Sequence, residues 1–448
     1  MKVADWRTFV GVGLVVTAVF FGTVLSYEHW SSDGWYEQSI DDVSRSSFSV
    51  ATALDPSGRM HAVYHADEVD YNAIKHAVRS DGRWEISTVA QSSDYISDLE
   101  MTIGEDSVVR VSWWDSSKVH YATNAGGDFD VVSAEMDEPH AVAMTIDPSG
   151  NAHALVTTQH FVDSYPSYAV YHHEYWAITS GEWVLVRTYS APEQTGDQRV
   201  EELLVDGQND PCAFIWLKYN FTSSTYYSLA STFLGDSPLE IHGLFAHSDE
   251  TTLVDTEYDS EGLIHLLMRD GSHEPSRLLH WVGDGQNWDM GDAETIDYAG
   301  DNAWLGADLC IDPQDDVFVA YSSSFSAFST RQCEVAERSE EGWTIDALRE
   351  SESTTWISPS LAVDSEGIYH VAGFVSDGAG TLTMTYANSD GHEVLMQSLS
   401  DAALYTVIAV VISWPTAFAL IRWQELRRAE REKLASIGLY DDQLRKAP

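Results

Sequence analysis

The stretch LDPSGRMHAVYH at 54–65 returns as IDPSGNAHALV (146–156), YDSEGLIHLLM (258–268), IDPQDDVFVAY (311–321) and VDSEGIYHVAG (363–373). A turn signature that recurs with its apolar flanks in step marks one supersecondary unit used many times, which constrains the fold more than composition can. In DPSG, Asp, Pro and Gly occupy the first, second and fourth places of a type I turn, so each phrase reads as a tight hairpin between two alternating strands.

A third alternating stretch follows in IKHAV (74–78), VHYAT (119–123), LLHWV (278–282) and MTYAN (384–388). A fourth opens at an aromatic residue: Trp84, Phe129, Trp183, Trp288 or Trp343. Four short strands with short connections form an antiparallel sheet of the kind that makes one propeller blade. The turn position recurs at Asp55, Gly104, Asp147, Asp206, Asp259, Asp312 and Asp364, at intervals of 43 to 59 residues. The expected architecture is therefore all-β: a seven-bladed β-propeller of four-stranded antiparallel blades, closed because closure removes the exposed sheet edges of an open array. Two further stretches, DGWYEQSIDDV (33–43) and DGHEVLMQSL (390–399), both read as a fourth strand, one more than seven blades require.

The phrase D-x-x-G-x-x-H-x-x-Y with a later G-x-W resembles the repeats of sialidase-like propellers, and LAVDSEGIYHVAGF is similar to the blade phrase of NHL-type propellers. The resemblance spans about 49–399. It implies the architecture and, as an alternative function, a glycan hydrolase or lyase with an arginine cluster for the substrate carboxylate. Arg45, Arg199 and Arg349 fall in loops between blades and would be its members. The sialidase Asp-box S-x-D-x-G-x-T-W is absent, so the principal expectation is a binding or assembly module, not an enzyme.

Charge narrows the partners. The chain carries 71 acidic and 24 basic residues, a formal net of -47, and nearly all the excess lies between two long apolar runs. Such a surface repels nucleic acid, which excludes DNA- and RNA-binding classes. It is tolerable where salt screens self-repulsion.

The apolar runs are free of charge and long enough to span a bilayer: TFVGVGLVVTAVFFGTVLSY (8–27) and AALYTVIAVVISWPTAFALI (402–421). Lys2 and Arg7 precede the first, and RWQELRRAEREK follows the second. The positive-inside rule then places 1–7 and 422–448 in the cytoplasm and 28–401 outside, on a plasma membrane. A cleavable signal peptide is the competing reading of 8–27. Helix-favouring composition extends from Arg422 to Ser436.

Propeller ligands sit over the central channel, on the face built by the loops joining one blade's last strand to the next blade's first. Those loops supply Tyr95, Asp98, Glu138, His140, Arg199, Trp304 and Trp356 as candidate ligand-binding residues. Aromatics beside carboxylates suit a carbohydrate or a cationic group on a protein. No catalytic residue, metal ligand or cofactor is assigned; calcium is the one ion the acidic turns could take, although DPQDD and DGQND do not complete a calcium-loop pattern. The repeated His61, His153, His265 and His370 belong to different blades, so each is expected to bond within its own sheet. Cys212, Cys310 and Cys333 read as buried thiols, the last two separated by two strand spacings, too far for a bridge.

Overall fold

The computed structural model describes residues 35–389 apart from 44–48, 69–70, 138, 163–167, 191–196, 207–209, 222–223, 235–241, 248–250, 272–274, 287, 289–292, 300–305, 324–331, 349–354 and 377–381, together with 423 and 426–433. Strand β1 (Tyr36–Val43) comes first and belongs to the last blade. Blade 1 is β2 (Val50–Leu54), β3 (Met60–Asp67), β4 (Asn72–Ser80) and β5 (Arg83–Ser92), and blade 2 is β6 (Ile96–Ile103), β7 (Val109–Asp115), β8 (Lys118–Thr123) and β9 (Asp130–Glu135). Blade 3 is β10 (Pro139–Ile146), β11 (Ala152–Val162), β12 (Tyr168–Thr179) and β13 (Glu182–Ser190). Blade 4 is β14 (Asp197–Val205), β15 (Pro211–Phe221), β16 (Ser224–Phe233) and β17 (His242–His247). Blade 5 is β18 (Thr251–Tyr258), β19 (Ile264–Asp270), β20 (Ser276–Gly283) and β21 (Glu294–Ala299). Blade 6 is β22 (Ala307–Ile311), β23 (Val317–Ser323), β24 (Gln332–Ser339) and β25 (Gly342–Ala347), and blade 7 is β26 (Thr355–Val363), β27 (Tyr369–Ser376), β28 (Leu382–Asn388) and β1.

The fold is a seven-bladed β-propeller. All seven turn positions read from the sequence fall immediately after the first strand of a blade. Asp55 shows why they do: its Oδ1 accepts from the backbone N–H groups of Ser57 and Arg59, both at 2.9 Å, holding the tight turn that sends β2 back as β3. Asp259, Asp312 and Asp364 make the same pair of bonds at 2.8–2.9 Å. In blade 2, where Gly104 replaces the aspartate, Asp106 takes over part of the work by accepting from Val108 N–H at 3.1 Å.

The two candidate orphan strands are resolved in favour of β1, which hydrogen-bonds to β28 and completes blade 7; 390–399 lies outside the described residues. Its Asp41 also reaches blade 1, where the carboxylate accepts from Tyr64 Oη at 2.9 Å and Lys75 Nζ at 2.8 Å. The chain thus closes the ring with its own N-terminal strand. Trp288 departs from its expected place: it precedes β21 instead of opening it, and its indole lies against Gly283, where a Cβ would meet the ring at 2.6 Å.

The core is distributed between blade faces. Val63, Ile74 and Val89 of blade 1 meet Ile96, Val111 and Trp113 of blade 2, and Leu267, Leu278 and Ile296 of blade 5 meet Leu309, Val319 and Tyr321 of blade 6. Alternating strands bury residues on both faces because each blade is sandwiched between two others.

The repeated histidines bond within their own blades. His153 links Asp147 (Nε2 to Oδ2, 3.1 Å) to Tyr175 (Nδ1 to Oη, 2.6 Å), and His370 links Asp364 to Tyr386 in the same way at 3.4 and 2.7 Å. In blades 1 and 5 a second histidine replaces the tyrosine: His61 Nδ1 lies 2.9 Å from His76 Nε2, and His265 Nδ1 lies 3.0 Å from His280 Nε2. Burial, then the neighbouring histidine, pushes His76 and His280 down to about 3, so both rings are neutral at ordinary pH. The three thiols are free; Cys310 and Cys333 occupy the first and third strands of blade 6.

Neither 8–27 nor 402–421 lies among the described residues, and no helix among those residues is long and apolar enough to cross a membrane. The flanking transmembrane helices expected from the sequence thus lie outside the described residues. A short exposed helix does span 426–433, where helix-favouring composition was read; the Arg427 guanidinium stands over the Trp423 ring at 4.5 Å.

Candidate functional site

The first strand of each blade lines the axis, and it begins on the face built by the loops between blades. Five of these strands carry a register shift near that beginning: between Ser97 and Glu100, Pro139 and Ala141, Val200 and Glu202, Leu253 and Asp255, and Ile357 and Ser360. A bulge at that point bends the strand and re-aims the side chains beside it. Asp98, inside the first of these bulges, has a φ of 46°, in the left-handed region.

Asp98 Oδ2 accepts a 2.7 Å hydrogen bond from Trp114 Nε1. Confinement within the protein, opposed by that bond and reinforced by the charge of Glu201, pushes the Asp98 carboxyl up to about 6. The side chain is itself exposed to solvent, which tempers the shift. Two blades away, Arg199 pairs its Nε with Glu201 Oε1 and stands over the Trp216 ring at 4.6 Å. The interblade end of the channel therefore presents two carboxylates, one guanidinium and two indoles.

Of the seven residues expected at this end, Asp98 and Arg199 are electrostatically joined through Glu201. His140 is the bulged residue of β10, exposed and tilted against Tyr171 with ring centroids 5.7 Å apart. Tyr95 is 63% exposed. Trp356 is only 2% exposed: its ring packs over Gly373 and its carbonyl accepts from Ser322 Oγ at 2.7 Å, so it belongs to the wall of blade 7. Glu138 and Trp304 lie outside the described residues, as do Arg45 and Arg349.

Deeper along the axis the structure brings together carboxylates that the loop-based reading missed. Four residues before the turn position stand Glu100, Glu202, Asp255 and Asp308, with Ala51, Ala143 and Ser360 at the same place in the other blades. Glu257 follows Asp255 on the same face. The signal was present in the repeat, in EMTIG, ELLVD, DTEYD and DLCID, one step upstream of the quoted turn phrases.

Part of this ring has a structural task. The innermost strand of every blade has a free edge, and unpaired N–H groups there need acceptors. Asp255 Oδ2 accepts from Leu309 N–H of the next blade at 2.6 Å, Glu257 Oε2 from Ile311 N–H at 2.7 Å, and Asp308 Oδ2 from Leu361 N–H at 2.7 Å. Ser360 Oγ donates to Asp308 at 3.2 Å and meets Thr52 Oγ1 at 3.0 Å, carrying the stitching across to blade 1. Burial pushes Asp255 and Asp308 up, and the charge of Asp255 pushes Asp308 further, so the pair takes up a proton more readily than free carboxylates do.

Glu100 and Glu202 are served differently. Among the described residues no hydrogen bond reaches Glu100, and Glu202 accepts from the adjacent Leu203 N–H at 3.3 Å. Desolvation by the surrounding strands first, then the charges of Asp255, Asp308 and Asp98, pushes the Glu100 carboxyl up, although its side chain is exposed; desolvation, then Glu100, Asp255 and Asp98, does the same for the half-buried Glu202. Among the described residues no group of three or more His, Cys, Asp or Glu side chains is arranged to hold a metal ion.

No protein-family model matches the chain, and no curated protein matches it. Solved structures do. A protein of unknown function from Dyadobacter fermentans is 8% identical, covering 79% of this chain and 98% of its own, with a TM-score of 0.46. The NanB sialidase of Streptococcus pneumoniae is 12% identical over 78% of this chain and 70% of its own, with a TM-score of 0.38. The Aleuria aurantia lectin is 12% identical over 68% of this chain and 96% of its own, with a TM-score of 0.40. Chemistry is not transferred by such a likeness.

Proposed function

We propose that the protein is a non-catalytic binding module, tethered to the plasma membrane through 8–27 and 402–421 with its propeller outside, that takes a cationic or neutral group of a carbohydrate or protein at the interblade end of its channel. The observation that carries this reading is the sign of the passage: behind Asp98 and the Arg199–Glu201 pair, carboxylates from blades 2, 4, 5 and 6 face one axis. An arginine clamp for an acidic sugar calls for the opposite field. Arg199 is already occupied by Glu201, and the indoles of Trp114 and Trp216 offer flat apolar faces of the kind that sugar rings and cations stack on.

A second reading rests on Asp98 itself. A carboxyl poised near 6 beside another carboxylate is suited to general acid catalysis on a glycan, as a hydrolase or lyase on this scaffold would need.

One comparison tests both. Oligosaccharides of equal length, one amino-bearing, one neutral and one acidic, are titrated into full-length protein and into Asp98→Asn and Trp216→Ala variants. The binding reading expects the amino-bearing or neutral ligand to bind, without turnover, and each substitution to weaken it about tenfold, or about 1.4 kcal/mol. Preference for the acidic ligand overturns it; turnover lost in Asp98→Asn establishes the second reading instead.

A further inference from the structure

The geometry points to an aliphatic polyamine as the ligand of the inner channel, held by one ammonium at Glu100 and another at Glu202. This rests on the cation-selecting channel proposed above and names the chemical class that the deeper part of it takes.

The argument begins from two buried hydroxyls. Ser112 lies directly opposite Glu100 in the β6–β7 ladder, so the two side chains share a face, 4.5–5.5 Å apart at Cβ as an order of magnitude for such pairs. Ser112 also stands opposite Tyr121, which packs with Ala152 and Ile178 of blade 3. That face therefore looks toward blade 3. Ser112 is fully buried, and its Oγ has no hydrogen-bond partner.

A second carboxylate and a second buried hydroxyl meet at the interface between blades 4 and 5. Glu202 stands opposite Phe214, and Thr256 opposite Leu266; Phe214 and Leu266 belong to one apolar cluster between these blades. Glu202 and Thr256 therefore face each other across that interface. Thr256 is more than nine-tenths buried, and its Oγ1 also lacks a partner.

A buried hydroxyl without a partner costs about 1–3 kcal/mol. Between blades 6 and 7 a carboxylate and a hydroxyl satisfy each other directly, Ser360 Oγ donating to Asp308. In the other two places the carboxylate and the hydroxyl each await a group that can serve both. A primary ammonium does so, because it has three donors, one for the hydroxyl oxygen and the others for the carboxylate, and it neutralises the charge. The two carboxylates repel each other and both are repelled by Asp255 and Asp98, so they stand in one field. They come from different blades and form no compact ligand set, which favours charges spaced along a flexible chain over a single small ion.

The test is calorimetric titration of the full-length protein with spermidine, methylamine and calcium chloride in turn. Saturable spermidine binding, at least tenfold tighter than methylamine, is expected. Glu100→Gln and Glu202→Gln should each weaken it about tenfold and the double variant should abolish it, while the exposed Glu340→Gln/Glu341→Gln control retains wild-type affinity. Ser112→Ala and Thr256→Val, which keep both charges, should each weaken spermidine measurably. Equal affinity in wild type and the Glu100→Gln/Glu202→Gln variant overturns the proposal. So does saturable calcium binding that depends on these residues without any for spermidine, or no spermidine binding at all. If spermidine fails while the amino-bearing oligosaccharide still binds through Asp98, the polyamine inference falls alone; if both fail, the cationic channel falls with it.

Discussion

Removing Tyr36–Val43 is expected to abolish cooperative unfolding of the propeller and to yield a chain that self-associates. Strand β1 buries Ile40 and Val43 in blade 7, each contributing about 1.5–3 kcal/mol. Asp41 adds its bonds to Tyr64 and Lys75 of blade 1, and Thr383 Oγ1 donates to Asp42 at 3.3 Å. Together these approach the whole of a typical stability of about 5–15 kcal/mol. Without β1, β28 becomes a bare edge and the first and last blades lose their shared clasp. Urea unfolding followed by fluorescence, with size-exclusion chromatography in parallel, reads both consequences. An unchanged midpoint would mean that the ring is closed by something other than β1.

Asp308 gives the second large effect, and its two substitutions should move in opposite directions. Asp308→Ala leaves Leu361 N–H without its acceptor, at about 1–3 kcal/mol for a buried group, and leaves Ser360 Oγ with Thr52 Oγ1 in place of the carboxylate. Asp308→Asn keeps an oxygen for both and presents an amide donor to Asp255, while removing the charge that Asp255 opposes. The pH dependence follows from the direction of the shift. The folded carboxyl is held above its ordinary value, so the stability contributed by its protonated form is complete below that ordinary value and is lost as pH rises through the folded one. Asp308→Asn has no such loss. Its melting temperature should exceed that of the wild type by more at pH 8 than at pH 5, with Asp308→Ala the least stable of the three at both. An Asp308→Asn protein that is less stable than the wild type at pH 8 would show that the ionised carboxylate is worth more to the edge N–H groups than it costs beside Asp255.

The blades were legible because their turns demand particular residues. Asp55, Asp147, Asp259, Asp312 and Asp364 accept from the backbone four residues ahead, and all but Asp147 also from two ahead, a requirement that writes itself into the sequence as a repeated phrase. Even Gly104 and Asp206, whose turns are degenerate, could be placed by spacing. The paired histidines were legible as internal bonds, although the exchange of His76 and His280 for Tyr175 and Tyr386 between blades was not. The choice between β1 and 390–399 could not be made, because strand pairing across the full length of the chain leaves no local signature.

The channel was hidden for a different reason. On a strand, a carboxylate at an alternating position reads as a solvent-facing residue. Only closure of the ring turns Glu100, Glu202, Asp255 and Asp308 toward one axis. The same closure buries Trp356, which its loop position had suggested for the mouth. Asp98 and Arg199 were singled out because they stand near the start of a first strand, where the interblade loops end; Glu201, two residues further along β14 than Arg199, carried no such mark.

The central claim is that the axis carries a concentrated negative field. Glu202→Cys in a Cys310→Ser background places a thiol in the channel, while Cys212 and Cys333 remain buried. The rate of its modification is measured with a cationic and an anionic methanethiosulfonate of similar size, at low and high salt. Confined charge of one sign concentrates counter-ions roughly 10- to 1,000-fold. The account predicts that the cationic reagent reacts at least about tenfold faster and that added salt narrows the difference. Equal rates, or a faster anionic reagent, would contradict it.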